Sequence, residues 1–172
     1  FQTNKPHIFA VGDVSNAPLR LETTAGREGS LAAENAVSGN KNSIDYDSVP
    51  YAIFTDPQFA SVGWTEERQV RETGACACRT VSLALIPKAQ IIRRTEGLIK
   101  MVIDPKTKRI LGIHILSPNA GDLIAQAAIL IKNKNTTDDV LRSMPVFPTL
   151  SESIKYAALA FEKDISKLSC CV

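Results

Sequence analysis

The sequence has 172 residues, with 20 Lys and Arg against 18 Asp and Glu, so its formal net charge is only +2. A chain that is 44% hydrophobic and 22% charged is typical of a globular protein, which excludes a disordered chain, a collagen-like chain and a basic nucleic-acid-binding tail. No apolar run approaches the roughly 20 residues that cross a bilayer, and no signal-like stretch opens the chain, so we expect a cytoplasmic protein without nucleic-acid or membrane partners.

Residues 1–48 have the pattern expected at the end of a larger domain. The apolar segment 6–11 predicts a buried strand that runs into the Gly-Asp turn at Asp13, and a buried strand needs neighbours that this region does not supply. Small residues at helical spacing then predict a helix over 19–39, and the polar residues 40–48 predict a linker.

Asp13 is the first candidate binding residue. We expect its carboxylate at the carboxyl end of a strand, just before a helix whose first N–H groups lack partners. That arrangement suits a polyhydroxyl or anionic ligand. A plain Gly-Asp turn that caps the next helix explains the same residues equally well, because short motifs of this kind recur by chance.

From Val49 the pattern changes to short β runs separated by turns, which predict strands over 51–54, 60–64, 79–85, 98–103 and 110–116. A turn at 104–108 makes the last two strands antiparallel neighbours. A short helix is predicted over 65–73, and apolar stripes predict helices over 120–131 and 150–161. This order predicts an α+β domain over 49–162, an antiparallel sheet with helices on one face.

Residues 163–172 are predicted to form a flexible tail that carries Cys170 and Cys171. Adjacent cysteines close only a strained ring when they oxidise together, so they suit a soft metal ion better than a structural disulfide. Lys163 and Lys167 lie just upstream and favour the thiolate form. Inert thiols are the alternative interpretation.

Cys76 and Cys78 form a second pair. Side chains two residues apart on a strand share a face, so these residues are candidates for a second thiol site. Ordinary thiols without a role are the favoured interpretation, because free cysteines are commonly buried.

Segments 54–63 and 148–152, together with the Gly-Asp turn, occur in an order that identifies a family. The chain resembles the C-terminal part of the flavin-dependent pyridine nucleotide–disulfide oxidoreductases, from the last strand of the FAD-binding domain through the dimerisation domain. The resemblance implies a homodimer, an FAD whose ribityl chain binds Asp13, and a helix start at Leu19 that faces the flavin. It also implies NADPH as the reductant. We expect both cofactors to need residues upstream of this chain, which alone should be inactive.

In family members that reduce organic disulfides, a His stands immediately before the Pro that corresponds to Pro148, and a Glu stands five residues after that His. Here the first position is Phe147, which cannot exchange a proton. The second is Glu152, a catalytic candidate that also fits a capping box at a helix start. Phe before the Pro and a C-terminal Cys-Cys resemble the mercuric reductases of this family. By that resemblance Cys170 and Cys171 bind the substrate Hg(II) and pass it to a redox-active cysteine pair of the partner subunit.

Two other interpretations stay open. A flavin disulfide reductase that has lost its His would share this fold, and a non-enzymatic dimerising module that binds soft metals would need only the thiols. Thr149 stands where mercuric reductases usually have Tyr, so the lining of the mercury pocket differs. The apolar helical stripes predict self-association, because exposed apolar patches mark interfaces.

Overall fold

The computed structural model describes residues 1–167 and forms two compact units, residues 1–49 and the chain from Pro50 onward. The first unit is built on helix α1 (Glu22–Ser38), which ends at Gly39. Gly39 adopts the left-handed conformation, with φ 74°, that a glycine tolerates best, and so confirms the predicted helix end.

The predicted buried strand over 6–11 is wrong. In the first unit Phe9 forms only an isolated antiparallel bridge with Gln2, and the Ile8 side chain is 47% exposed. An extended segment becomes a sheet strand only when neighbouring strands satisfy its N–H and C=O groups along its length. Pro6 and His7 lie in a turn, and this segment does not belong to a sheet within the described residues.

The second unit is a five-stranded sheet with helices. Its elements in chain order are β1 (Tyr51–Ile53), β2 (Gln58–Gly63), α2 (Glu66–Thr73), β3 (Cys78–Ser82), α3 (Pro87–Ile91), β4 (Leu98–Ile103), β5 (Ile110–Ser117), α4 (Ala120–Lys132), α5 (Thr137–Arg142) and α6 (Glu152–Leu159). The strand order is β1-β2-β5-β4-β3, and every neighbouring pair is antiparallel. The predicted fold class and the β4–β5 pairing are confirmed. Among the described helices, none is both long and apolar enough to cross a bilayer.

The two short helices α3 and α5 were not predicted. They contain five and six residues, which is too short for an apolar stripe to show its period. Their starts nevertheless carry local signals. Pro87 occupies the first turn of α3, and Thr136 forms a capping box with Asp139 at the start of α5.

The apolar face of the sheet carries the core. Fully buried side chains on the central strands pack against buried residues of α4 and α6, the main ones being Ile99, Met101, Ile113, Ile115, Ala127 and Ala157. The helical stripes are thus covered by the sheet of their own chain, and they are not the exposed surface from which self-association was predicted. Ile129 on α4 is 61% exposed, and the most exposed apolar side chains of the second unit are Met144 at 94%, Phe54 at 83% and Val146 at 75%.

The opposite face of the sheet carries polar groups in register. Ser61, His114 and Lys100 are directly opposite one another on β2, β5 and β4. The His114 Nε2 lies 3.0 Å from the Trp64 carbonyl oxygen, and Nδ1 lies 2.7 Å from the Ser61 Oγ. A carbonyl only accepts, so Nε2 carries the proton and Nδ1 accepts from the Ser61 hydroxyl. Burial lowers the pKa of His114, which therefore stays neutral in the folded chain.

We predict that His114 makes folding pH-dependent. Its folded pKa lies below the ordinary value of 6.5, so the unfolded chain binds more protons as the pH falls below that value. The stability present above pH 6.5 is therefore lost as the pH falls from there through the folded pKa. Urea unfolding between about pH 7.5 and about pH 5 should show a smaller decline for His114→Gln than for the wild type. The exposed His7 in the first unit gives the control variant His7→Gln, which should follow the wild type. Equal declines in the wild type and His114→Gln would contradict the prediction.

Candidate functional site

The family-like segment 54–63 meets the start of α4 at one corner of the second unit. The Gln58 side-chain oxygen accepts a hydrogen bond from the Gly121 N–H at 3.0 Å, which joins the start of β2 to the start of α4. A Cβ at position 121 would lie 3.2 Å from that oxygen and 3.5 Å from the Phe54 ring. Glycine therefore allows α4 to approach the segment that contains Phe54 and Gln58.

The turn before α6 holds the second group of predicted site residues. The Thr149 N–H donates to Glu152 Oε2 at 3.1 Å, and the Thr149 hydroxyl donates to the Val146 carbonyl at 2.8 Å. Half of the expected capping box is therefore present, while the Thr149 hydroxyl bonds to Val146 rather than to the first turn of α6. Glu152 is buried, and its hydrogen bond with the Thr149 N–H fixes the start of α6.

Phe147 lies at the exposed edge of this turn. Its side chain is 48% exposed, and its peptide bond to Pro148 is cis. A phenyl ring can neither give nor accept a proton, so position 147 offers a contact surface and no acid or base. Glu152 remains a catalytic candidate on sequence grounds alone.

A buried carboxylate that the sequence analysis missed organises the first unit. Glu28 on α1 is fully buried; its Oε2 accepts from the Gly12 N–H at 2.6 Å and its Oε1 accepts from the Tyr46 hydroxyl at 2.6 Å. Burial, followed by the hydrogen bond to Glu28, raises the pKa of Tyr46 to about 12, so its proton stays on the phenol. The sequence does offer one signal for Glu28: it is a charged residue in the helical stripe that also contains Leu31.

The Glu28 carboxylate holds the turn that carries Asp13. Gly12 has φ 69°, and a Cβ there would lie 3.2 Å from the Ala25 Cβ, so both backbone conformation and space favour glycine. Asp13 itself is exposed, which leaves its carboxylate available to a ligand.

Leu19 does not occupy the predicted position at a helix start. Helix α1 begins at Glu22, because Leu21 is still extended, with φ −131° and ψ 147°. The positive end of the helix dipole therefore lies at Glu22, whose own carboxylate stands in the first turn. A cavity of about 480 Å³ in this unit is lined by Thr3, Ser15 and Tyr46 among others, and Leu19 does not line it.

A third group comprises Cys76, Cys78 and Glu66. One ligand atom from each of the three lies within 4.8 Å of those of the other two, and all three side chains are partly buried. Glu66 Oε2 accepts from Lys100 Nζ at 2.6 Å. Ordinary thiols without a role were the favoured interpretation of this pair. The Glu66 carboxylate, from the start of α2, was not predicted to lie beside them.

Cys170 and Cys171 lie outside the described residues. Of the two lysines expected to favour their thiolates, Lys167 pairs with Asp164 at 3.3 Å. The metal-binding role of the tail cysteines therefore stays a prediction.

Residues 49–158 match the family model of the pyridine nucleotide-disulphide oxidoreductase dimerisation domain. The chain is 41% identical over 171 residues to a mercuric reductase of Lysinibacillus sphaericus, covering 99% of this chain and 31% of the relative. It is 39% identical over 168 residues to a mitochondrial dihydrolipoyl dehydrogenase of Pisum sativum, covering 96% of this chain and 33% of the relative.

Solved structures give the same fold. The crystal structure of LpdA from Mycobacterium tuberculosis superposes with a TM-score of 0.80 at 28% identity, covering 94% of this chain and 35% of that one. The chain thus spans about a third of the length of the relatives that it matches.

We predict that Glu28 stabilises the turn at Gly12. Replacing it by Gln puts an amide NH₂ against one of two hydrogen-bond donors, which should destabilise the first unit by about 1–3 kcal/mol. Hydrogen exchange of the Gly12 amide, measured by NMR, should be faster in Glu28→Gln than in the wild type. Glu34→Gln, at an exposed position of the same helix, is the control. Unchanged exchange of the Gly12 amide in Glu28→Gln would contradict the role of the carboxylate.

Proposed function

Because this chain belongs to the pyridine nucleotide-disulphide oxidoreductase family, we propose that it forms the C-terminal part of an NADPH-dependent, FAD-containing enzyme that reduces Hg(II) to Hg(0). In this proposal the second unit provides the dimer contact and the tail delivers the mercuric ion. The chain spans about a third of its relatives, so the proposal concerns the full-length protein.

The observation that carries the proposal is Phe147 at the exposed edge of the turn before α6. Reduction of an organic disulfide releases a thiolate that needs a proton, which an acid–base side chain supplies. Hg(II) needs only two electrons: NADPH and Hg(II) give NADP⁺, Hg(0) and a proton. A phenyl ring at position 147 is compatible with the second reaction and removes a proton donor from the first.

The tail would supply the chemistry that the ion requires. Two thiolates bind Hg(II) as a linear pair, and associative exchange moves the ion from one thiol pair to the next without a redox change. Cys170 and Cys171 are the proposed acceptor pair, and a redox-active cysteine pair of the partner subunit is the proposed recipient. Thr149 keeps a hydroxyl at the position where mercuric reductases usually have Tyr, although it donates to the Val146 carbonyl.

The first unit would contribute part of an FAD site. Asp13 fits a contact with a ribityl hydroxyl, because it is exposed and follows a turn that Glu28 holds. Leu19 fits less well than predicted, since the helix begins at Glu22. When bound, the flavin carries electrons from NADPH to the acceptor.

Homodimer formation follows from the kind of domain that the second unit represents, a dimerisation domain. Segment 144–147 is a candidate contact, because Met144, Val146 and Phe147 expose apolar side chains that a partner subunit would cover.

A flavin disulfide reductase is the second candidate function. Its support is the 39% identity to a dihydrolipoyl dehydrogenase, close to the 41% found with a mercuric reductase. A dimerising thiol module that buffers soft metals without flavin is the non-enzymatic alternative.

Steady-state NADPH oxidation by the full-length protein separates these functions. We expect Hg(II) supplied in excess small thiol to drive oxidation, while oxidised lipoamide leaves the rate near background, because Phe147 cannot protonate the leaving thiolate. Oxidation driven by lipoamide and not by Hg(II) would contradict the proposal. A full-length protein that binds no flavin would support the non-enzymatic module instead.

The tail is tested in the same assay with Cys170→Ala and Cys171→Ala combined. The double variant should lose more of its activity when small thiols compete for Hg(II) than when the ion is weakly complexed. Thr107→Ala, at an exposed position of the turn 104–108, is the control and should leave the thiol dependence unchanged. Equal rates for the wild type and the tail variant in excess thiol would exclude the tail from delivery.

A further inference from the structure

We propose that Cys76, Cys78 and Glu66 form a binding site for a soft divalent cation on the polar face of the sheet. The cation would have two thiolate ligands and one carboxylate ligand. The inference rests on the described geometry and does not depend on the reaction proposed above.

Two elements bring the three ligands together. Cys78 is the first residue of β3 and pairs with Val102 of β4, two residues along the strand from Lys100. Glu66 is the first residue of α2 and reaches Lys100 Nζ at 2.6 Å. The cysteines and the carboxylate therefore meet where the start of α2 lies against the polar face of the sheet.

The backbone that carries the cysteines is fixed. The buried Gln69 side chain accepts from the Ala77 N–H at 2.9 Å and donates to the Ile103 carbonyl at 2.7 Å. The Ile103 N–H in turn donates to the Ala77 carbonyl at 2.9 Å. Both peptide groups of Ala77 are thus held, and the two thiols on either side of it have little freedom to separate.

The distances suit thiolate ligation. With metal–sulfur bonds of about 2.3 Å, two sulfurs on one ion lie about 3.8 Å apart in a tetrahedral site and about 4.6 Å apart in a linear one. The ligand atoms of Cys76, Cys78 and Glu66 lie within 4.8 Å of one another, so small side-chain rotations are enough to bring them onto one ion.

The ligand atoms select the kind of ion. Mg²⁺ and Ca²⁺ prefer oxygen ligands, whereas two sulfur ligands and one carboxylate favour a soft ion. Burial, followed by the neighbouring Cys78 and then Glu66, raises the pKa of Cys76 to about 12, so metal binding must release its proton. Hydrogen bonds from Lys100 and then Cys78 lower the pKa of Glu66 and keep it charged.

Charge balance supports the same ligand set. Once both thiols have lost their protons, two thiolates, the Glu66 carboxylate, the Lys100 ammonium and a divalent ion sum to a neutral cluster. A neutral cluster costs little to keep in a partly buried place.

Cd²⁺ titration of the 172-residue chain tests the site, with Cys170→Ser and Cys171→Ser combined so that only two cysteines remain. We expect one ion per chain, an ultraviolet thiolate-to-cadmium band, and release of two protons per ion. Adding Cys76→Ser or Cys78→Ser should abolish the band. Glu66→Gln should weaken affinity by about 10–100-fold while retaining the band.

Glu67→Gln, one residue along α2 at an exposed position, is the matched control and should bind as its parent does. Circular dichroism shows that each variant is folded, and proton release separates thiolate ligation from loose carboxylate binding. No band at micromolar Cd²⁺ in the folded parent would overturn the site. A band that persists in Cys76→Ser, or an affinity unchanged in Glu66→Gln, would overturn the proposed ligand set.

Discussion

The buried side-chain amide of Gln69 is the constraint on which the polar end of the second unit depends. It bonds the Ala77 N–H and the Ile103 carbonyl, and so joins α2 to the segment before β3 and to the end of β4. An unpaired polar group in such a place costs about 1–3 kcal/mol, so an apolar residue at position 69 would leave two backbone groups without partners. Through this one side chain, the position of the thiols is set by the packing of α2.

The two faces of the sheet carry different side chains: one face holds the apolar core and the other carries polar groups. On one face the core strands are covered by α4 and α6, and the packed side chains include Ile113 and Ala127. On the other face Ser61, His114 and Lys100 stand in register across three strands. Because side chains alternate along a strand, each strand contributes to the core and presents polar groups on the opposite side. In the first unit a buried polar side chain has a role like that of Gln69, since Glu28 fixes the turn that carries Asp13.

Much of the fold could be predicted from local pattern. The bounds of β4, 98–103, were predicted to the residue, because an apolar run ends in a clear turn at 104–108. The start of α1 was placed three residues early, since nothing in the sequence marks Leu21 as extended. The predicted strand over 6–11 failed for a different reason: its apolar pattern is typical of a buried strand, but the described residues supply no neighbouring strands to pair with it.

Some of the site residues could be recognised from the sequence and others could not. Cys76, Cys78 and Glu152 stand out by residue type, whereas Glu28 and Gln69 belong to helices that carry several other polar residues. Their partners lie 16 and 18 residues away for Glu28, and 8 and 34 residues away for Gln69. Such pairs depend on tertiary structure, so only coordinates reveal them. The charge and protonation of the thiols follow from that structure as well, because Glu66 approaches them only once α2 is packed.

Preorganisation of the thiol pair by Gln69 is the feature that links fold to chemistry, and it is measured most directly in Gln69→Leu. Hydrogen exchange of the Ala77 amide and Cd²⁺ affinity are recorded together, in the chain that lacks the tail cysteines. If the Gln69 hydrogen bonds fix the thiols, the folded variant should have a rapidly exchanging Ala77 amide and a Cd²⁺ affinity about 10–100-fold weaker than the wild type. A folded variant with unchanged exchange and unchanged affinity would contradict it.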